Sequence, residues 1–250
     1  MCTRVAGLLL GVSLLTANVL SAENIPDYDA FDDMLLKNVR NGFIDYDGLS
    51  ADPRFEVFVT LIGAGDAAAL RTDADRLAFY VNAYNALAIE GILNGYSPRT
   101  LWGRYRFFKR NKYLILDEKM NLFDFEHDRI IAMGDPRIHF AIVCASLSCP
   151  RLSSRAYTPG DIDAQLHQAA RRFLNDPTRN RFDLDRRIAF VSMIFQWYAK
   201  YFETAGGSIQ QYMARFVDDA RVQDALRLGE FDLKYEKYDW NLNGYFSGED

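Results

Sequence analysis

Apolar positions fall into blocks of helical spacing separated by short polar turns. Asp29 to Asn41 places Phe31, Met34, Leu35 and Val39 on one helical face, and Phe55 to Ile62 forms a second block. Asp73 to Asn94 is the strongest helix. Its middle, LAFYVNAYNALAI, is apolar on nearly every face, which predicts a helix buried all round. Asp73 is placed to cap it and Asn94-Gly95 to stop it.

Beyond Ser97-Pro98 the pattern changes. Tyr113 to Leu116 reads as a strand followed by an Asp117-Glu118 turn, and Leu122 to Met133 as a short helix capped by Asn121 or Asp124 and ended by Gly134-Asp135-Pro136. Ile138 to Val143 is a β-rich apolar run that predicts a buried strand, with a polar loop from Cys144 to Thr158 after it. Asp161 to Leu174 is amphipathic and opened by Thr158-Pro159. Arg181 to Val191 has strand-like alternation in parts, while Ser192 to Phe202 and Ile209 to Phe216 predict helices. The closing YEKYDWNLNG is aromatic enough that it must pack on something. The expected class is α+β: a helix-rich single domain with a small sheet and a buried central helix.

The N-terminus does not belong to this domain. Arg4 precedes an apolar run from Val5 to Leu20, and Ser21-Ala22 supplies small residues before Glu23. That is the grammar of a cleaved signal peptide over residues 1–22, leaving one domain over 23–250. The expected location is periplasmic or secreted, with no membrane span after cleavage.

Composition narrows the functions. Of 250 residues 49 % are hydrophobic and 14 % aromatic, which excludes a disordered chain. A net charge of −5 argues against wholesale nucleic-acid or anionic-membrane binding. Three cysteines are too few for a disulfide scaffold. Cys2 leaves with the leader, so Cys144 and Cys149 remain as an even pair. Phosphate-loop, dinucleotide and serine-elbow motifs are absent, and no cofactor is expected.

Candidate chemistry centres on Cys144, Cys149, Glu126, His127 and His139, with Asn82 and Asn85 in the buried helix. A reactive thiol needs a nearby imidazole and a group to orient it. On an extended strand His139 and Cys144 would face opposite sides, roughly 16 Å apart. His127 is therefore the expected base for Cys144, with Asn82 or Asn85 orienting it and Glu126 turned about 100° away on the same helix. A Cys144–Cys149 disulfide, a buried core thiol and a Cys2His2 metal set remain open alternatives.

The segments LAFYVNAYNAL, NLFDFEHDRI, DPRIHFAIVCASLSCPRL, AYTPGDIDAQLHQAARRFLND, FQWYAKYF and YDWNLN resemble the domain of unknown function 547 family, from about Tyr46 to Asn243. The resemblance marks Asn82, Asn85, Glu126, His127, His139, Cys144, Ser146, Cys149 and Pro150. It carries no established activity. In plant-type members the second cysteine position resembles a serine, which implies that Cys149 is not an obligatory disulfide partner and singles out Cys144. A papain- or transglutaminase-like arrangement in permuted order is compatible with these residues. Two functions follow as expectations. One is a thiol-dependent enzyme acting on amide, peptide or γ-glutamyl/thioester bonds, with Cys144 as nucleophile and a backbone N–H of the Ala145-Ser146 loop at the oxyanion. The other is a non-catalytic module that binds a peptide or small thiol, with Glu126, His139, Ser146 and Cys149 lining the groove.

Overall fold

The central helix predicted from the all-round apolar pattern organises the molecule. A computed structural model describes residues 25–247. The expected signal peptide, with Cys2, lies outside the described residues. In chain order the elements are α1 (Tyr28–Asn38), β1 (Val39–Arg40), β2 (Phe43–Asp45), α2 (Tyr46–Ser50), α3 (Pro53–Ala64) and α4 (Asp73–Leu93). Next come α5 (Leu101–Tyr105), β3 (Tyr113–Ile115), β4 (Glu118–Met120), α6 (Leu122–Phe125) and α7 (Ile162–Leu174). The chain finishes with β5 (Arg181–Asp183), β6 (Ile188–Val191), α8 (Ile194–Trp197), α9 (Ala199–Gly206), α10 (Ile209–Met213), α11 (Ala220–Arg227), β7 (Asp232–Tyr235) and β8 (Gly244–Tyr245). The fold is α+β and helix-rich, and its strands are divided among three small sheets.

Helix α4 buries 13 of its 21 residues, from Ala78 to Ile92. Full burial of each Leu or Ile among them contributes roughly 1.5–3 kcal/mol. Its cap differs from the expected Asp73. Thr72 accepts from the Asp75 N–H, and the Asp75 carboxylate accepts from the Thr72 N–H and hydroxyl, so two groups close reciprocally.

One short sheet ties the two ends of the described chain together, and a second joins β5, β6 and β7. β2 pairs antiparallel with β1 and parallel with β8, placing Ile44 opposite Gly244. β6 lies between β5 and β7, parallel to β7 with Ala189 opposite Leu233. Both parallel pairings draw C-terminal chain onto earlier elements. The segment between β7 and β8 is thereby drawn against residues 145–148.

The strand expected at Ile138 to Val143 does not form. Pro136–Phe140 is a tight 3₁₀ turn instead. Asp135 caps it by accepting from the Arg137 N–H and pairs with the Arg137 guanidinium at 2.6 Å. The Asp-Pro start fixes helical backbone and overrides the β preference of the residues that follow. Residues predicted as one helix from Ser192 to Phe202 divide at Tyr198 into α8 and α9.

Two helices continue into wide π turns, α5 through Arg106–Arg110 and α6 through Glu126–Ile130. Wide turns of this kind are concentrated at functional sites because they re-aim side chains. Both border the same cavity. Among the described residues no helix is long and apolar enough to cross a membrane.

Candidate functional site

The amides of α4 build the site's frame. Asn85 donates to the Ala141 carbonyl at 3.0 Å and accepts from the Val143 N–H at 2.9 Å. It gives an irregular buried segment the two bonds that a neighbouring strand would otherwise provide. Asn82 treats Tyr157 the same way, donating at 2.7 Å and accepting at 2.9 Å. Neither amide meets an imidazole. Their expected role in orienting His127 is corrected: both are saturated by backbone and hold the chain on either side of the cysteine loop.

That loop begins where Asn85 releases the chain. Cys144 is half-buried, and Ala145 after it has φ 57°, a left-handed conformation that costs a Cβ-bearing residue about 1 kcal/mol or more. The C-terminal segment clamps this conformation. Asn243 N–H donates to the Ala145 carbonyl at 3.3 Å, Leu147 N–H to Asn241 at 2.7 Å and Ser148 N–H to Asp239 at 3.1 Å. Tyr46 fixes the clamp through a 2.8 Å bond to the Asn243 side chain.

The two thiols are free and adjacent. The Cys144 N–H donates to the Cys149 sulfur at 2.8 Å. The Cys144 sulfur lies 3.1 Å from both the Ser146 and the Tyr238 hydroxyls, which are themselves 3.2 Å apart. Burial pushes the Cys144 thiol well up, and its neighbour Cys149 pushes it further. Burial also opposes charge on Cys149. There the hydrogen bonds from the Cys144 thiol, Tyr238, the Cys144 N–H and Ser146 outweigh it, so this thiol is lowered.

A buried carboxyl lies across the cavity. Tyr198 donates to Glu126 at 2.5 Å and Tyr84 at 3.4 Å. Burial raises the Glu126 carboxyl, against the pull of Tyr198, His127 and Tyr84. Glu126 and His127 both line the cavity. The expectation that Glu126 faces elsewhere is therefore corrected, and the π turn is what brings two adjacent residues to one wall. His127 Nδ1 sits 2.9 Å from the Phe123 carbonyl, which can only accept, so Nδ1 carries the proton and Nε2 is the basic nitrogen. No hydrogen bond links His127 to Cys144.

His139, expected on the far side of a strand, also lines the cavity. Its ring stacks 3.8 Å from Tyr198, and its buried Nδ1 has no partner. Burial, aided by the neighbouring charge of His127, lowers it to about 3, so the ring is neutral throughout the physiological range. The remaining histidine, His167, is exposed on α7.

These groups share one cavity of about 580 Å³. Sequence reasoning identified the thiols, Glu126, His127 and His139 but missed its walls. Tyr84, Tyr198, Tyr238, Trp197 and Trp240 supply aromatic surface, and Arg104 and Lys109 stand at its edge. The aromatic tail was the one available signal. Tyr238 and Trp240 pack on Trp197 with ring centres 4.8 and 5.9 Å away, and Arg104 lies over Trp240 at 4.6 Å. Among the described residues no group of three or more His, Cys, Asp or Glu side chains could hold a metal ion, so the Cys2His2 alternative has no geometry behind it.

A family model described as "Protein of unknown function, DUF547" matches residues 68–174. That stretch contains every sequence-predicted site residue, from Asn82 to Cys149, whereas Trp197, Tyr198, Tyr238 and Trp240 lie beyond it. No curated protein and no solved structure matches the chain, so the papain- or transglutaminase-like comparison gains no support.

Proposed function

We propose that this chain, which belongs to the DUF547 family through residues 68–174, is an exported thiol-dependent acyl-transfer or hydrolytic enzyme with Cys144 as nucleophile. One observation carries the reading: two free thiols, with the Cys144 N–H bonded to the Cys149 sulfur, stand at the wall of a large aromatic cavity. The base follows from the same geometry. Cys149, whose sulfur lies 2.8 Å from the Cys144 backbone nitrogen, is the group placed to take the Cys144 proton, so His127 is not required to touch the nucleophile. As Cys144 sulfur bonds to the carbonyl carbon of an amide or thioester, its proton passes to Cys149. The tetrahedral intermediate then collapses to an acyl-Cys144 thioester. The leaving amine or thiol departs with that proton, and water or a second nucleophile releases the acyl group. Tyr238 and Ser146, both 3.1 Å from the attacking sulfur, are the hydroxyls placed to donate to a developing oxyanion.

The test is modification followed by mass mapping. With p-nitrophenyl acetate near pH 7, Cys144 should acquire an acetyl group, and Cys149→Ser should slow that acylation at least tenfold. Absence of an acetyl group on Cys144, or a native mass two hydrogens short from a disulfide, overturns the reading. A second reading, reversible ligand binding without turnover, is favoured by the absence of any imidazole–thiol bond. It predicts that Cys144→Ser keeps full affinity for whatever the cavity holds, and that no acyl adduct forms.

A further inference from the structure

The net charge of −5 conceals one strongly basic segment. Residues 99–112, RTLWGRYRFFKRNK, hold six cations and no acid. Elsewhere most of the described arginines pair with carboxylates, as Arg129 does with Glu118, Arg151 with Asp176 and Arg171 with Asp218. In this segment the cations lie over aromatic rings instead: Arg106 over Tyr96, Lys109 over Phe123 and Arg110 over Trp102. Among the described residues none of the six forms an ion pair.

The same segment breaks the usual rule for large apolar side chains. Leu101 is 79 % exposed, Trp102 58 % and Tyr105 48 %, three such residues within five positions. α5 and its π turn form ten continuous helical residues. Leu101, Trp102, Tyr105, Arg106, Lys109 and Arg110 are exposed along them, while Phe107 is buried. At about 100° per residue the exposed six fall on one face. Apolar and aromatic side chains mixed with cations on a single helical face are the composition of a helix that lies in a membrane interface.

We infer that the helix Leu101–Arg110 docks on the surface of an anionic lipid bilayer. Leu101, Trp102 and Tyr105 enter the headgroup boundary, and Arg106, Lys109 and Arg110 meet the lipid phosphates. Charge complementarity selects this partner: the face is cationic and unpaired on an otherwise acidic protein, and each cation near an anionic surface strengthens binding about fivefold. The exposed apolar trio separates a bilayer from a soluble polyanion, which has no boundary to receive it. The position has a consequence for the cavity. Tyr105 and Lys109 belong both to this face and to the cavity lining, so docking sets the cavity mouth against the lipid.

The test is co-sedimentation of the full chain with vesicles of phosphatidylglycerol and phosphatidylcholine in equal parts, and with phosphatidylcholine alone. The N-terminal apolar run is common to parent and variants and cancels in the comparison. Binding at least tenfold stronger to the anionic vesicles is expected. Arg106→Glu with Arg110→Glu should weaken it more than tenfold, and Leu101→Ser with Trp102→Ser severalfold, with thermal melting retained in both. Equal binding to the two vesicle types overturns the inference. So does anionic binding indifferent to the Leu101/Trp102 pair. Binding to single-stranded RNA without binding to vesicles also overturns it and gives the patch to a nucleic acid. The result does not depend on Cys144 or Cys149, so it stands or falls separately from the thiol chemistry.

Discussion

Two sets of buried polar groups lie within a few residues of each other in this protein, and they are finished to different degrees. Asn82 and Asn85 satisfy both ends of their amides on backbone, as Asn180 does with the Phe173 carbonyl and the Ser192 N–H. Across the cavity His139 keeps an unpartnered Nδ1, Glu126 is raised by its burial, and two free thiols stand side by side. A saturated polar group fixes a backbone path. An unsaturated one in a dry site costs stability, and it keeps bonding capacity that a ligand or a reaction can use. The first set is architecture and the second is the candidate chemistry, although the sequence presents both as polar residues inside apolar runs.

The comparison is most open to breaking at Asn85. Asn85→Leu keeps the volume but leaves the Ala141 carbonyl and the Val143 N–H unpaired in the core. At roughly 1–3 kcal/mol for each orphaned group, a loss of about 2–6 kcal/mol is expected in urea unfolding. A loss below about 1 kcal/mol would show that the 141–143 segment finds other partners, and would remove the division between the two sets. Cys149→Ser sits on the other side of it. There the expected effect is on reactivity, at least tenfold on acylation of Cys144, with melting little changed.

How much of this was legible follows the same division. The central helix was readable because apolar residues on every face and a polar cap leave few alternatives. The strand predicted at Ile138 to Val143 failed because a side chain 56 and 58 positions away supplies its ladder bonds, and Asp135-Pro136 sets a helical turn first. Cys144, Cys149, Glu126, His127 and His139 were legible as residue types capable of chemistry. Their partners were not: Tyr238 lies 94 positions from Cys144, and Tyr198 lies 72 from Glu126. The basic helix was invisible in a total charge of −5, because an average carries no position.

Smaller effects sharpen the comparison through pH. His139 takes a proton near 6.5 in the unfolded chain, but folding holds it neutral down to about 3. The unfolded state therefore binds more protons across this interval. The stability His139 contributes is complete above about pH 6.5 and is lost as pH falls below it, at up to roughly 1.4 kcal/mol per pH unit. His139→Phe keeps the ring stacked on Tyr198 and removes both the proton and the orphaned nitrogen. Between pH 6.5 and 5, above the range of ordinary carboxylates, the variant's stability should be the flatter of the two. Parallel curves for parent and variant would mean that His139 titrates normally and belongs with the satisfied groups.

Glu126 has the opposite sign and the smallest expected effect. Its folded carboxyl is raised by burial, so the native state holds the proton more tightly than the unfolded chain, where the group titrates near 4.3. Its contribution is complete below that value and is lost as pH rises through the folded pKa. Glu126→Gln fixes the neutral form. It keeps an oxygen for the Tyr198 hydroxyl and offers an N–H to Tyr84, so packing and hydrogen bonding survive. Its melting temperature should match the parent's near pH 4 and exceed it by a few degrees near pH 8. A variant less stable at every pH would show that the two tyrosines fully compensate an ionised carboxylate. Glu126 would then join Asn82 and Asn85 as a group whose bonding is complete, and the cavity's unfinished chemistry would narrow to His139 and the two thiols.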